Sequence, residues 1–444
     1  MKRYFAGMLL SLIVFSACQK DSTSDVLDER LETVLDQAAQ GMGKSFFQLP
    51  ESDDFANIPQ DPKNPLTTAK VQLGKLLFHE TALGIEPHNN IAFQTYSCAS
   101  CHFASAGFQA CKNQGIGEGG TGFGINGEAR NISLLFDVED LDVQPIRTPS
   151  ALNIGFQTNI LWNGQFGATH LNEGTESSWE YGTPKVTNLL GYEGTETQAI
   201  AGLTVHRQNL NKAWADQLGY TMLFQDAFPG VPDDSLFTKE YAGLAIAAYE
   251  RTLLATKAPF QLWLKGHYNA MSDKEKRGAI VFFKDANCNS CHTGPALNSM
   301  AFYGLGMKDL WQTGAFKTNP QNTENLGRGG FTKRPEDNYH FKVPQLYNLK
   351  DSPHYGHGAS FNSLRQVVEY KNRAIKENPT VSDAQLSSLF VPQHLTAAQI
   401  DDLTAFLTFG LRDPQLHRYQ PIHVLSGSCI PNNDPTSKVD LGCQ

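Results

Sequence analysis

An all-α chain in two modules, joined and flanked by long irregular loops, is what this sequence predicts. Three observations carry that prediction. Apolar residues recur with helical period, and few stretches alternate with strand period. The pattern Cys-x-x-Cys-His occurs twice, at 98–102 and 288–292, each time after a helical stretch and before an irregular one. Finally, 38 glycines and 22 prolines in 444 residues argue for loops around compact helices rather than a dense sheet.

The chain opens on Lys2 and Arg3, an apolar run from Met8 to Phe15, and Ser16-Ala17 directly before Cys18. That is a secretory signal, too short to span a bilayer. Its end resembles a bacterial lipobox, in which Cys18 becomes the lipidated first residue; an ordinary signal with an incidental cysteine is the alternative. Residues 1–18 are thus read as a lipoprotein signal peptide and 19–55 as tether and N-terminal extension, with a flexible linker over 19–35 and a helical pattern from Leu31 to about Met42. An amphipathic helix covers Val71 to Phe78, and a loop then leads to the first motif. The glycine-rich stretch from Gly115 to Gly127 lacks the strand before and helix after that a phosphate cradle requires. It is read as a loop covering the first motif. Leu236 to Ala255 is strongly helical. Ser272-Asp273-Lys274-Glu275 is a capping box opening the helix that delivers the second motif, and another helix opens at Thr396. The halves, 56–255 and 256–411, repeat one order: helix, motif, loops, helix. This is duplicated architecture rather than duplicated sequence. Residues 412–444 form a tail.

Eight cysteines in an exported chain would first suggest disulfides. Cys98, Cys101 and His102, with Cys288, Cys291 and His292, instead form the pattern of c-type haem attachment. Two thiols on one turn each form a thioether to a vinyl group, and the adjacent imidazole reaches the iron. A zinc ribbon would need its Cys pairs far closer in sequence, and a thioredoxin-like site would sit on a βαβ pattern that is absent here. The fold expected is therefore two cytochrome c-like haem domains holding two covalently bound haem c groups. Cys429 and Cys443 bracket the tail and are candidates for a disulfide, and Cys111 has no evident partner. The net charge of -9 leaves no basic footprint, so no nucleic-acid partner is expected.

Several segments in order resemble the bacterial diheme cytochrome c peroxidase family, including its MauG-like branch. They are Leu73-Gly74-Lys75-Leu76-Leu77-Phe78, Arg147-Thr148-Pro149-Ser150-Ala151-Leu152-Asn153, Leu161-Trp162-Asn163-Gly164, Ala248-Tyr249-Glu250-Arg251-Thr252-Leu253, the second motif with Thr293-Gly294-Pro295, Phe341-Lys342-Val343-Pro344, and Ser352-Pro353-His354-Tyr355-Gly356-His357-Gly358. The resemblance spans roughly residues 60–410. It implies that the first haem meets hydrogen peroxide, while the second takes electrons from a small periplasmic redox protein, a cytochrome c or a copper protein. It also implies a periplasmic place, here lipid-anchored through Cys18, and leaves a homodimer open.

The resemblance implies site residues too. His102 and His292 are the proximal iron ligands. A distal carboxylate that moves peroxide's proton falls at Glu173 or, as runner-up, Glu176; both are also readable as solvated loop residues. Ile160 stands where the family has a glutamine, and Leu152 where it has a relay tryptophan. No histidine lies between His102 and His170, and Glu118 stands where some members carry a capping histidine. This points to a first haem that needs no reductive activation, as in the MauG-like branch. The second haem's sixth ligand falls at Tyr370 or Lys371, where typical members have methionine or tyrosine. A calcium ion at the domain junction would use carbonyls near Lys342 and Pro344. Two further functions stay open: MauG-like oxidation of a protein or organic substrate, and non-catalytic electron carriage.

Overall fold

Leu31, Val34 and Leu35 recur at helical spacing and form the buried stripe of α1 (Thr23–Ala38) in the computed structural model, which describes residues 23–443. The helix thus begins inside the stretch read as a flexible linker. Besides its apolar stripe, Asp28 holds it in place: it pairs with Lys276 at 2.7 Å and accepts a hydrogen bond from Trp263 Nε1 at 2.6 Å. The signal sequence and Cys18 lie outside the described residues.

Thr67 caps α2 (Thr68–His79), its hydroxyl accepting from Lys70 N at 3.2 Å. α2 and α3 (Gly194–Val205) both pack on α4 (Lys239–Arg251). The α2–α4 crossing is close enough that a Cβ on Gly74 would stand 1.8 Å from the Ala245 carbonyl oxygen. The second half repeats the device. Its capping box forms as predicted, Ser272 N donating to Glu275 Oε2 at 2.6 Å, and opens α5 (Asp273–Ile280). After α6 (Leu364–Arg373), α7 (Ala397–Ala405) crosses α5 at Gly278, where a Cβ would fall 2.0 Å from the Asp402 carbonyl oxygen. α1 lies on the same α5.

Other joints recur as well. Asn153 and Asn348 both adopt left-handed backbone, with φ of 57° and 56°. Asn153 N donates to Leu253 O at 2.7 Å, and its Oδ1 accepts from Ala255 N at 3.0 Å. Asn348 N donates to Leu411 O at 3.0 Å, and its Oδ1 accepts from Asp413 N at 3.1 Å. Each asparagine therefore pins the loop after its motif to the chain leaving the last helix of its half. Strand structure among the described residues is confined to two short antiparallel pairs. β1 (Gly120–Thr121) meets β2 (Asn131–Ile132), and β3 (Phe302–Gly304) meets β4 (His340–Lys342). The chain is helix-rich, as its periodicity predicts.

The tail is not loose. Cys429 and Cys443 form a disulfide, and α8 (Pro435–Leu441) lies between them. Pro431 O accepts hydrogen bonds from Ser97 Oγ and Ser100 Oγ at 3.1 and 3.3 Å, which places the tail against the first motif. Asp434 pairs with the buried Arg130 at 2.9 Å, and Asp440 accepts from Phe123 N and Gly124 N. The glycine-rich loop is thereby fastened to the tail.

Candidate active site

The loops that follow each motif fold back toward α3 and α6 and enclose one continuous cavity of about 850 Å³. Cys98, Cys101 and His102 border it from the first motif, and Cys288 and Cys291 from the second. The two motifs, 190 positions apart in the chain's numbering, thus share one interior. None of these four cysteines is in a disulfide. Burial pushes the Cys98, Cys101 and Cys288 thiols above the ordinary range, Cys101 and Cys288 to about 12, so these three are protonated thiols.

Both motif histidines are oriented through their own backbone. His102 Nδ1 lies 3.1 Å from Phe108 O. His292 is not among the cavity wall residues, but its Nδ1 lies 3.1 Å from both Leu297 O and Pro344 O. A ring nitrogen facing a carbonyl carries the proton, so in each case Nε2 keeps its lone pair. Burial lowers both rings to about 4, which keeps them neutral. Paired free thiols, oriented neutral imidazoles and a large, mostly apolar chamber fit two c-type haems.

The structure places both distal candidates away from the cavity wall. Glu173 and Glu176 are exposed and do not border the cavity. Each finishes a local turn instead: Glu173 Oε1 accepts from His170 N at 3.1 Å, and Glu176 Oε1 from Gly174 N at 3.0 Å. His170 is likewise exposed, 3.8 Å from Glu193. The polar groups on the wall near the first motif include Gln157, Asn163, Gln165, Gln198, His206 and Glu250. Glu250 was not singled out from the sequence for a role. It is buried, its Oε2 has no hydrogen-bond partner, and burial raises it to about 8. A carboxylate directly after the apolar stretch from Ala242 to Tyr249 is the sequence signal for it. His206 Nδ1 meets Asp142 Oδ2 at 2.8 Å, and that carboxylate counters burial and raises the imidazole.

Glu118 is fully buried, pairs with Arg207 and accepts from Asn89 N at 2.8 Å. It does not reach the cavity wall; its neighbours Gly115 and Gly117 do. Leu152 is fully buried, and Trp162 borders the cavity with its Nε1 donating to Arg147 O at 2.8 Å.

At the second motif, α6 turns one face to the cavity: Leu364, Val367, Val368, Lys371 and Asn372. Tyr370 points elsewhere. Its hydroxyl donates to Leu305 O at 2.5 Å, and its ring packs between Phe361 and Phe390. Of the two sixth-ligand candidates, only Lys371 reaches the chamber, because adjacent helical residues point about 100° apart. The calcium expectation meets a donor set that does not suit it. Calcium takes six to eight oxygens, yet Pro344 O is occupied by His292. The buried Lys342 amine, lowered to about 7 by desolvation, bonds Gln157 Oε1 at the same junction. Among the described residues no three acidic, histidine or cysteine side chains converge.

Residues 68–269 match the family model described as di-haem cytochrome c peroxidase. The methylamine utilization protein MauG of Methylorubrum extorquens is 26% identical over 366 residues, covering 82% of this chain and 83% of that protein. The cytochrome c peroxidase Ccp of Escherichia coli is 26% identical over 385 residues, covering 86% of this chain and 67% of that protein. A solved MauG-like protein associated with microbial copper homeostasis shares the fold, with a TM-score of 0.55 at 22% identity over 87% of this chain and 98% of that one.

Proposed function

We propose that the chain, a cytochrome-c peroxidase-like oxidoreductase, is a member of the di-haem cytochrome c peroxidase family whose model matches residues 68–269, and that it reduces hydrogen peroxide to water with electrons from a small periplasmic redox protein. The observation that carries this reading is the single cavity bordered by both motifs, with each motif histidine oriented to present Nε2. In this reading the chain forms two cytochrome c-like haem domains over 56–255 and 256–411. Cys98, Cys101 and His102 hold one group, and Cys288, Cys291 and His292 the other. When bound, the two groups supply the one-electron redox chemistry. Peroxide takes up two electrons and two protons and leaves as two waters.

The protein's own task is to hold, orient and supply protons. Phe108 O, Leu297 O and Pro344 O fix the imidazoles. Gln157, Gln165 and Gln198 offer amide donors on the wall, Glu250 and His206 are groups able to hold a proton there, and the apolar wall excludes bulk water. Glu173 and Glu176 are not needed in this arrangement.

One observation favours a second reading, the MauG-like branch acting on a protein or organic substrate. Glu118 is tied to Arg207, and no histidine stands between His102 and His170, so the loop over the first motif offers no capping imidazole. Stepwise peroxide addition to the fully oxidised protein, followed optically and by EPR, separates the readings. Reaction without prior reduction, with slow turnover of reduced cytochrome, supports the MauG-like branch. Rapid peroxide-dependent oxidation of a reduced small cytochrome or copper protein supports the peroxidase, and reaction with neither leaves an electron carrier.

We further place the protein on the periplasmic face of a membrane, anchored by lipid on Cys18. The lipobox-like end of the signal supports this, and among the described residues no helix is long and apolar enough to cross a membrane.

A further inference from the structure

The two halves differ in what their cavity-facing helices present. On α3 the wall residues are Gln198, Ala199, Gly202 and Val205, followed by His206 after the helix end. No amine or thioether stands among them, and Gly202 leaves the middle of that face bare. On α6 the corresponding apolar face carries one long basic side chain, Lys371. We propose that Lys371 binds the second haem iron through its ε-amine, on the face opposite His292. The assignment rests on the two-haem reading above.

Four observations converge on it. Lys371 borders the cavity while its neighbour Tyr370 is committed to Leu305 O and to two aromatic rings. Its Nζ forms no hydrogen bond or ion pair among the described residues, and the Phe390 ring lies 6.0 Å away. It lines the same cavity wall as Cys288 and Cys291 of the second motif. Lastly, a lysine with no anionic partner in an apolar wall is an unfavourable use of an ammonium group, whereas a neutral amine bound to iron is fully satisfied there. Met307 is the other cavity-lining donor in this half, and its sulfur packs toward Gly356 on the following loop. Neither residue type leaves the second site open, but only the lysine sits on the helix that faces it.

The inference assigns the two sites different characters: a first site whose α3 face carries no amine or thioether, and a second one whose α6 face supplies an amine. Amine ligation favours the oxidised metal more than thioether ligation does, since methionine raises the potential of a histidine-bound haem.

The test uses the purified holoprotein and variants Lys371→Gln, Lys371→Met, Tyr370→Phe and Met307→Leu. Haem content and intact mass come first. A count other than two per chain would remove the two-haem reading, and this proposal with it, before any ligand is considered. With two haems present, ferric EPR and near-infrared spectra are expected to show one low-spin centre. That signal is lost in Lys371→Gln and replaced in Lys371→Met by a thioether-ligated centre of higher potential. Tyr370→Phe and Met307→Leu keep the parent signal. A parent with no low-spin centre, a signal surviving Lys371→Gln, or its loss in Tyr370→Phe or Met307→Leu overturns the assignment. The Met variant restores a ligand at the same position, so it separates loss of ligation from loss of fold.

Discussion

At the scale of single residues, charge in the wrong medium marks this protein's working parts. Glu250 is the clearest case. Its carboxyl titrates near 8 in the folded chain against a reference of 4.5, so between those values the folded state keeps a proton that the unfolded state has lost. Stability therefore declines as pH rises from about 4.5 to 8 and levels above that. Glu250→Gln should flatten this slope and leave the variant more stable by up to about 5 kcal/mol at alkaline pH, as read from urea titrations across the range. A slope unchanged in the variant would mean that the proton sits elsewhere. Arg251, its neighbour on α4, is the opposite case: it is fully buried yet paired with Glu196 at 2.6 Å and Glu193 at 3.0 Å. Arg251→Ala should lose roughly 3–5 kcal/mol, because two carboxylates are left without their cation.

The same scale shows what a reader of the sequence could and could not see. Cys98, Cys101 and His102 are local along the chain, so their chemistry is written in spacing, and the cavity they border agrees with it. The choice between Tyr370 and Lys371 depends on helix phase, which a one-residue ambiguity in alignment hides. Glu173 and Glu176 were chosen for their place after Trp162 in the sequence. The residues after Trp162 form short turns that use both carboxylates as caps, which order along the chain does not reveal. Glu250 reads in the sequence only as part of a helix, since burial, which gives it its meaning, is a tertiary property.

Among elements, two close helix crossings define the architecture, and each depends on an absent side chain. Gly74→Ala would drive a methyl into the Ala245 carbonyl and Gly278→Ala into that of Asp402. Either should lower stability by about 3 kcal/mol or more, since backbone rather than a flexible side chain must yield; thermal unfolding of the holoproteins reads this directly. Helices α2, α4, α5 and α7 were legible from apolar period and capping residues. α1 was legible only in part, because its first turns are polar and resemble a tether until Asp28 meets Lys276 and Trp263. The tail pairing of Cys429 with Cys443 was open in the sequence and is closed in the fold. Replacing both by serine should cost about 3 kcal/mol if loop closure governs its effect. The tail should then become the first site of limited proteolysis, while an unchanged digestion pattern would show that Arg130, Ser97 and Ser100 hold it unaided.

Over the whole molecule, a repeated plan supports an unequal division of labour. The recurring asparagine joints and glycine crossings make the halves alike in scaffold, and the contents of α3 and α6 make them unlike in chemistry. Membrane attachment belongs to this scale: Cys18→Ser should shift the protein from the membrane to the soluble fraction, and unaltered partitioning would remove the lipid anchor from the reading. The tail, finally, bears on how such a molecule is put together. The disulfide-closed segment follows the first motif by more than 300 positions, yet its Pro431 carbonyl settles on Ser97 and Ser100, which sit beside and between the thiols of that motif. In the proposed two-haem reading, a tail already closed through Cys429 and Cys443 would cover the segment that carries the first motif's thiols, so attachment there is expected to precede closure of the disulfide.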